Sequence, residues 1–131
     1  MTRFVVDASA VIHLASKRFE VSADHELLAP TLLRSQTLSM LHEAVHRGEL
    51  PADVALNLLE RIWRMRIRLL GDAVLRRRAW EVAEQMGWAD TYNAEYVALT
   101  QLQADAFVTR DAQLGRSVKG IVATASIDAL R

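Results

Sequence analysis

Three aspartates of this 131-residue chain stand where a carboxylate can hold a cation. Asp7 closes the apolar run "FVV", and Asp111 comes two residues after the run "AFVT". Asp90 lies just before "TYNAEYVALT", a helical pattern with a neutral amide, Asn93, in its first turn. Carboxylates brought together repel one another unless a cation neutralises them. Oxygen ligands without cysteine and without paired histidines suit a hard divalent ion, Mg2+ or Mn2+. Ser9, two residues after Asp7, and Thr109, two before Asp111, carry hydroxyls able to fix the carboxylate rotamers. Each aspartate also has a plainer duty, as a helix cap at Asp7 and Asp90 and as a turn residue at Asp111. Convergence separates the two readings, because caps have no reason to meet at one edge and ligands do.

Such a meeting depends on the elements that carry the side chains. "RFVV" predicts a first strand, "ELLA" a second closed by Pro30, "AFVT" a third and "GIVAT" a fourth. From Thr31 to His46, Leu33, Thr37, Met40, Leu41 and Ala44 fall at helical spacing, with Gly48 as the stop. Pro51 opens a helix whose stripe is Ala55, Leu58, Leu59, Ile62, Met65 and Leu69, with Arg61, Arg64 and Arg68 on another face. Asp72 caps a helix running to about Met86, Tyr92 to Gln103 is the next helix, and "RDAQLG" is a turn with a short helix. Strands alternating with helices predict a mainly parallel sheet between two helical layers, a three-layer α/β/α sandwich. In such sheets ligands bind outside the carboxyl ends of the strands, where Asp7 and Asp111 fall.

Bulk properties narrow the function classes. Absence of cysteine excludes disulfide frameworks, thiolate zinc sites and thiol nucleophiles. No apolar run reaches the length of a membrane span, and the N-terminus lacks the layout of a signal peptide, so a soluble cytoplasmic protein is expected. Without repeats or a Ser/Gly linker, residues 1–131 read as one domain. The formal net charge is zero, yet residues 61–78 hold seven arginines against one acid, Asp72. An arginine face of that kind can follow phosphates, and a solvated helix face is the even alternative. Trp63, Trp80, Trp88, Tyr92 and Tyr96 are expected mainly in the core or an interface, with base stacking the less common use. The four histidines share no metal spacing.

Four stretches, "VVDASAVI", "APTLLRSQTLSMLHEAVHRGEL", "TYNAEYVALT" and "FVTRDAQL", resemble the PIN-domain family, and within it the VapC-type toxins of toxin–antitoxin modules. The resemblance runs through nearly the whole chain. It implies an α/β/α sandwich, Mg2+- or Mn2+-dependent endoribonuclease activity, a homodimer, and a cognate antitoxin that wraps the toxin. Asp7 matches the family's first aspartate and Asp111 its last. The glutamate of the usual "S-E" pair falls on Gln36, and the aspartate of the usual "Y-D-A" falls on Asn93. With two charges replaced by amides, the metal ligands implied are Asp7, Asp90, Asn93 and Asp111, with Gln36 beside the reaction and slow chemistry overall. Asp90 is the nearest compensating charge, three residues from Asn93 on one face if the helix includes it. RNA contacts are expected from Arg61, Arg64, Arg68 and Arg110. A second reading is an impaired or engineered-inactive module of the same fold that binds RNA or antitoxin without cleaving. A third, a phospho-accepting regulatory domain, wants a strand-end lysine; the late lysine, Lys119, follows no apolar strand.

Overall fold

The β-branched run near the N-terminus forms the central strand of the sheet. In a computed structural model that describes residues 1–131, β1 (Thr2–Val6) lies between β2 (His25–Pro30) and β4 (Ala106–Val108). Beyond β2 lies β3 (Ile67–Leu70), and every pairing is parallel. Val5 pairs with Leu28 on one side and Phe107 on the other, and all three are fully buried. A strand covered on both faces needs an unbroken apolar run, which "FVV" supplies.

Six helices cover the sheet: α1 (Ala8–Ser16), α2 (Leu32–His46), α3 (Ala52–Arg64), α4 (Ala73–Met86), α5 (Tyr92–Gln103) and α6 (Ala112–Val118). From β1 through β2 to β3 the chain moves one way across the sheet, and from β3 to β4 it returns past β1. Right-handed crossovers therefore put α1, α2 and α3 on one face and α4 and α5 on the other. The packing agrees, since α1, α2 and α3 touch one another while α4 packs on α5, and α5 lies against β1, β2 and β4. The result is the three-layer α/β/α sandwich expected, with an all-parallel sheet. Strand order reverses between β1 and β4, and at that reversal the two flanking connections leave to opposite faces and open a crevice.

Two elements differ from the sequence reading. The helix from Pro51 stops at Arg64, and Ile67–Leu70 is a strand, so Met65 and Leu69 are not part of the α3 stripe and Arg68 is on β3. Met65 takes an extended backbone (φ −69°, ψ 142°), after which Ile67 and Leu69 alternate with Arg66 and Arg68. Over so few residues an apolar pair fits the helical and the strand period alike, and pairing with β2 decides. "GIVAT" forms no full strand. The amides of Ile121 and Val122 both donate to the Val118 carbonyl, continuing the winding of α6, and only Thr124 bridges to Phe107.

Helix ends follow their capping residues. Asp72 accepts from the Leu75 amide at 2.8 Å, and Gly87 closes α4 in the left-handed region at φ 70°, a conformation that costs a side chain dearly. Asp72→Ala is expected to lower stability by about 1 kcal/mol, the usual loss of such a cap. Urea unfolding that gives an unchanged midpoint would show that Asp72 does not hold this end.

Candidate active site

Asp7 leaves the end of β1 and becomes the N-cap of α1. One carboxylate oxygen, Oδ1, accepts from the Ala10 amide at 3.0 Å and from the Ser9 hydroxyl at 2.7 Å. The other, Oδ2, accepts from the Thr109 hydroxyl, which arrives from the neighbouring strand end after β4. Asp7 is only 7% exposed. Burial raises its pKa, the three donors oppose that rise, and the negative charge of Asp111 adds to it. The carboxylate is therefore held in shape by hydrogen bonds yet lacks a positive partner.

Asp111 is the N-cap of α6, with Oδ1 accepting from the Leu114 amide at 3.0 Å. Its own amide donates to the Thr109 hydroxyl at 3.1 Å. Thr109 thus ties the Asp7 carboxylate to the backbone of Asp111, and the Arg110 amide donates to the Ser9 hydroxyl at 3.0 Å. One closed set of hydrogen bonds joins the ends of β1 and β4 across the switch point. The capping reading holds for Asp7, Asp111 is a helix cap where a turn residue is expected, and the two caps converge as well. Thr109→Val removes a donor to Asp7 and an acceptor for Asp111 together. An expected cost of about 1–3 kcal/mol follows, the scale for stranding buried polar groups. Thermal melting checks it, and a variant as stable as the parent would count against the network.

Asp90 does not join this set. Helix α5 begins at Tyr92, and Asp90 precedes it, exposed, accepting from the Tyr92 amide at 3.3 Å. The shared helix face with Asn93 therefore does not form: one of the free amides at the helix start takes the carboxylate instead. Asp111 is the acid whose charge acts on Asp7. Asn93 lies in the first turn of α5, exposed, on the face that continues through Tyr96, Val97 and Thr100. No three residues among His, Asp and Glu are grouped closely enough to cage an ion.

Gln36, on α2, is reached from the opposite layer. The Tyr96 hydroxyl of α5 donates to Gln36 Oε1 at 2.6 Å. Burial pushes the Tyr96 phenol above its ordinary range, and the negative charges of Asp7 and Glu95 push the same way. Tyr96 thus stays protonated, a donor and never a base, and occupies one acceptor position of the Gln36 amide oxygen. Its buried position at helical spacing gave no sign of this role, because a core tyrosine and a polar bridge look alike in sequence.

The arginines divide between the two ends of the sheet. Helices run back against their strands, so the last turn of α3 lies at the edge away from Asp7. The end of α3 runs straight into β3 and touches the far end of α1, where Arg61 donates to the Ala15 carbonyl at 3.1 Å, while Arg64 pairs with Glu60 and Arg68 on β3 pairs with Glu26. These three form no common face leading to the carboxylates. Arg110 is at the site, its guanidinium 3.1 Å from His13 Nε2, one turn along α1 from Ser9. Partial burial lowers the pKa of His13, and the charges of Arg110 and Lys17 lower it further, so the imidazole is neutral and presents a lone pair to Arg110.

No protein-family model matches the chain, and no curated protein matches it. Solved structures do. PAE2754 from Pyrobaculum aerophilum is 23% identical with a TM-score of 0.77, over 98% of this chain and 92% of that one. A chain of VapBC2 from Rickettsia felis, bound to a DNA fragment from their promoter, gives a TM-score of 0.65 at 9% identity over 95% of this chain and 98% of that one. The fold is PIN-like. A third neighbour, VapBC-1 from nontypeable Haemophilus influenzae, gives 0.59 at 10% identity over 96% of this chain and 98% of that one. At such identities the likeness is one of backbone path. The PIN-like chain has no helix long and apolar enough to cross a membrane.

Proposed function

We propose that this protein is a Mg2+- or Mn2+-dependent endoribonuclease, the toxin of a VapBC-type module, with RNA as substrate and a cognate antitoxin as partner. The observation that supports it most is the tied pair of Asp7 and Asp111 at the switch point of a PIN-like sheet. Two carboxylates fit one such ion, because Mg2+ is usually held by one or two carboxylates and keeps several waters. Asp7 has three donors for roughly four lone-pair positions, and Asp111 has spent one oxygen on its cap, so both retain acceptor capacity. The Asn93 carbonyl, at the start of α5, is the third candidate ligand, and Asp90, with its carboxylate turned to Tyr92, a weaker fourth. When bound, the ion supplies Lewis acidity and a coordinated water of lowered pKa.

The protein's own contribution is positioning. Ser9 and Thr109 hold the Asp7 carboxylate, the Arg110 guanidinium is a cation at the site for a substrate phosphate, and neutral His13 orients it. Gln36, held by the Tyr96 hydroxyl, takes no proton. Hydrolysis breaks one phosphodiester P–O bond and adds a water across it. Single-stranded or looped RNA suits an open edge of this kind, since A-form helices hide their bases. A homodimer remains part of the proposal. Purified protein with single-stranded RNA should yield fragments in Mg2+ or Mn2+ and none in EDTA. Cleavage that ignores EDTA, or none in any metal, would remove the nuclease. The second reading, a module that binds without cleaving, is favoured by the amides at Gln36 and Asn93.

A further inference from the structure

A cleft of about 510 Å³ opens at the same carboxyl edge, beside the Asp7 site and outside its hydrogen-bond network. It is lined by Thr31 after β2, Asp72, Arg76 and Trp80 of α4 with its cap, and Thr91 and Glu95 at the start of α5. Arg76 and Trp80 are four residues apart on one face of α4, and Thr91 and Glu95 are four apart opposite them, so the groups converge. Trp80 is 66% exposed, unusual for the largest apolar side chain in a chain with a full core. Neither Arg76 nor Glu95 takes part in any ion pair of the structure, unlike Arg64, Arg68 and Arg78. A methyl group added at Gly71 would come within 3.1 Å of the Thr31 hydroxyl, so the floor of the cleft is closely fitted.

We propose that this cleft binds one nucleobase of the single-stranded RNA, the Trp80 indole providing the stacking face and the Glu95 carboxylate accepting from an exocyclic amine. The inference rests on the ribonuclease reading for its ligand class. Volume fits, since ligand clefts span roughly 300–1,000 Å³. Stacking on an exposed aromatic is how single strands are held without regard to sequence. Specificity would come from Glu95. Its carboxyl lines the cleft, half-buried, and accepts no hydrogen bond from the protein. An amine of cytosine or adenine satisfies it, and uracil, which presents a carbonyl there, does not. Arg76 offers its charge to the adjoining phosphate. Position supports the link to the scissile site: Glu95 is next to Tyr96, whose hydroxyl donates to Gln36 across the carboxyl edge of the sheet.

Binding in EDTA separates this cleft from the chemistry. Fluorescence anisotropy with short homopolymers of cytidine, adenosine and uridine should show the first two bound more tightly than the third. Trp80→Ala should weaken binding of all three by about tenfold or more, on the scale of one lost base stack, while Trp80→Phe keeps most of it. Glu95→Gln should erase the preference over uridine with little loss of overall retention. Sedimentation of Trp80→Ala should show the parent's oligomeric state; a change would assign Trp80 to a subunit contact and overturn the proposal. Equal binding by parent and Trp80→Ala, or no RNA binding at all, would also overturn it. Trp80-dependent binding in a protein that never cleaves would leave the cleft standing and remove the nuclease, whereas cleavage insensitive to Trp80 would do the reverse.

Discussion

Asp7→Asn is expected to abolish metal-dependent RNA cleavage, by about 10³-fold, while leaving the metal-free protein more stable than the parent. The loss follows because Asp7 is the better shielded of two carboxylates, and halving the charge of the pair weakens the hold on a divalent ion and on the water it would position. Its size is that of removing a charged member of a catalytic constellation. The gain follows from the same burial. Asp7 has its pKa raised by desolvation and by Asp111, against three hydrogen bonds. A group whose folded pKa lies above its unfolded value favours folding most when protonated, and that contribution is lost as pH rises through the folded pKa. At neutral pH the ionised Asp7 therefore works against the fold, and an uncharged amide relieves it, less the Thr109 hydrogen bond that the amide nitrogen cannot accept. Melting in EDTA should move up, the direction set by the raised pKa of Asp7. The parent should also lose stability between acid and neutral pH more steeply than the variant. Added Mg2+ should raise the melting temperature of the parent and leave Asp7→Asn unmoved, since only a folded state that binds the ion is stabilised. Retained cleavage in Asp7→Asn would end the nuclease reading.

Asn93→Asp is the second large effect, and it runs the other way. A new carboxylate in the first turn of α5 would add a third charge to Asp7 and Asp111, on the helix face that continues through Tyr96. Near a protein surface a unit charge about 4 Å from another contributes on the order of 4 kcal/mol, falling towards 1 kcal/mol with full hydration. Tenfold tighter Mg2+ binding, about 1.4 kcal/mol, is thus the lower end of the expected change. Cleavage should quicken at limiting metal. In EDTA the same charge should cost stability through repulsion, tempered by its favourable place at a helix N-terminus. Magnesium titration followed by melting and by RNA cleavage tests both halves. Activity appearing only in this variant would identify a disabled enzyme, and no change in either readout would show that Asn93 does not face the ion.

Much of the architecture was legible in residue order. "FVV" and "AFVT" are apolar runs short enough for strands and flanked by capping aspartates, and both are strands. Asp72 and Gly87 bracket α4 as capping chemistry requires, and Tyr92–Gln103 has the bounds its apolar spacing gives. These features rest on local preferences, which act over a few residues and do not need a partner. The period of Ile67–Leu70 is ambiguous until β2 lies beside it, and "GIVAT", with the apolar content of a strand, makes a single bridge, Thr124 to Phe107.

What the order of residues determined alone was the kind of side chain placed at each strand end, and hence which groups were available to bind a cation. Asp7, Ser9, Thr109 and Asp111 are fixed there because strand and cap propensities act within a turn or two. Only the tertiary structure decided which of those groups meet. Thr109 reaches Asp7 across a hundred residues of chain because β4 returns beside β1, while Asp90, nearer to Asn93 in sequence than any other acid of the candidate set, turns to the Tyr92 amide. Arg61, Arg64 and Arg68, close in sequence, end at the edge of the sheet opposite the carboxylates. Distance along the chain says little about distance in space once crossovers reverse the strand order, and charge acts through space.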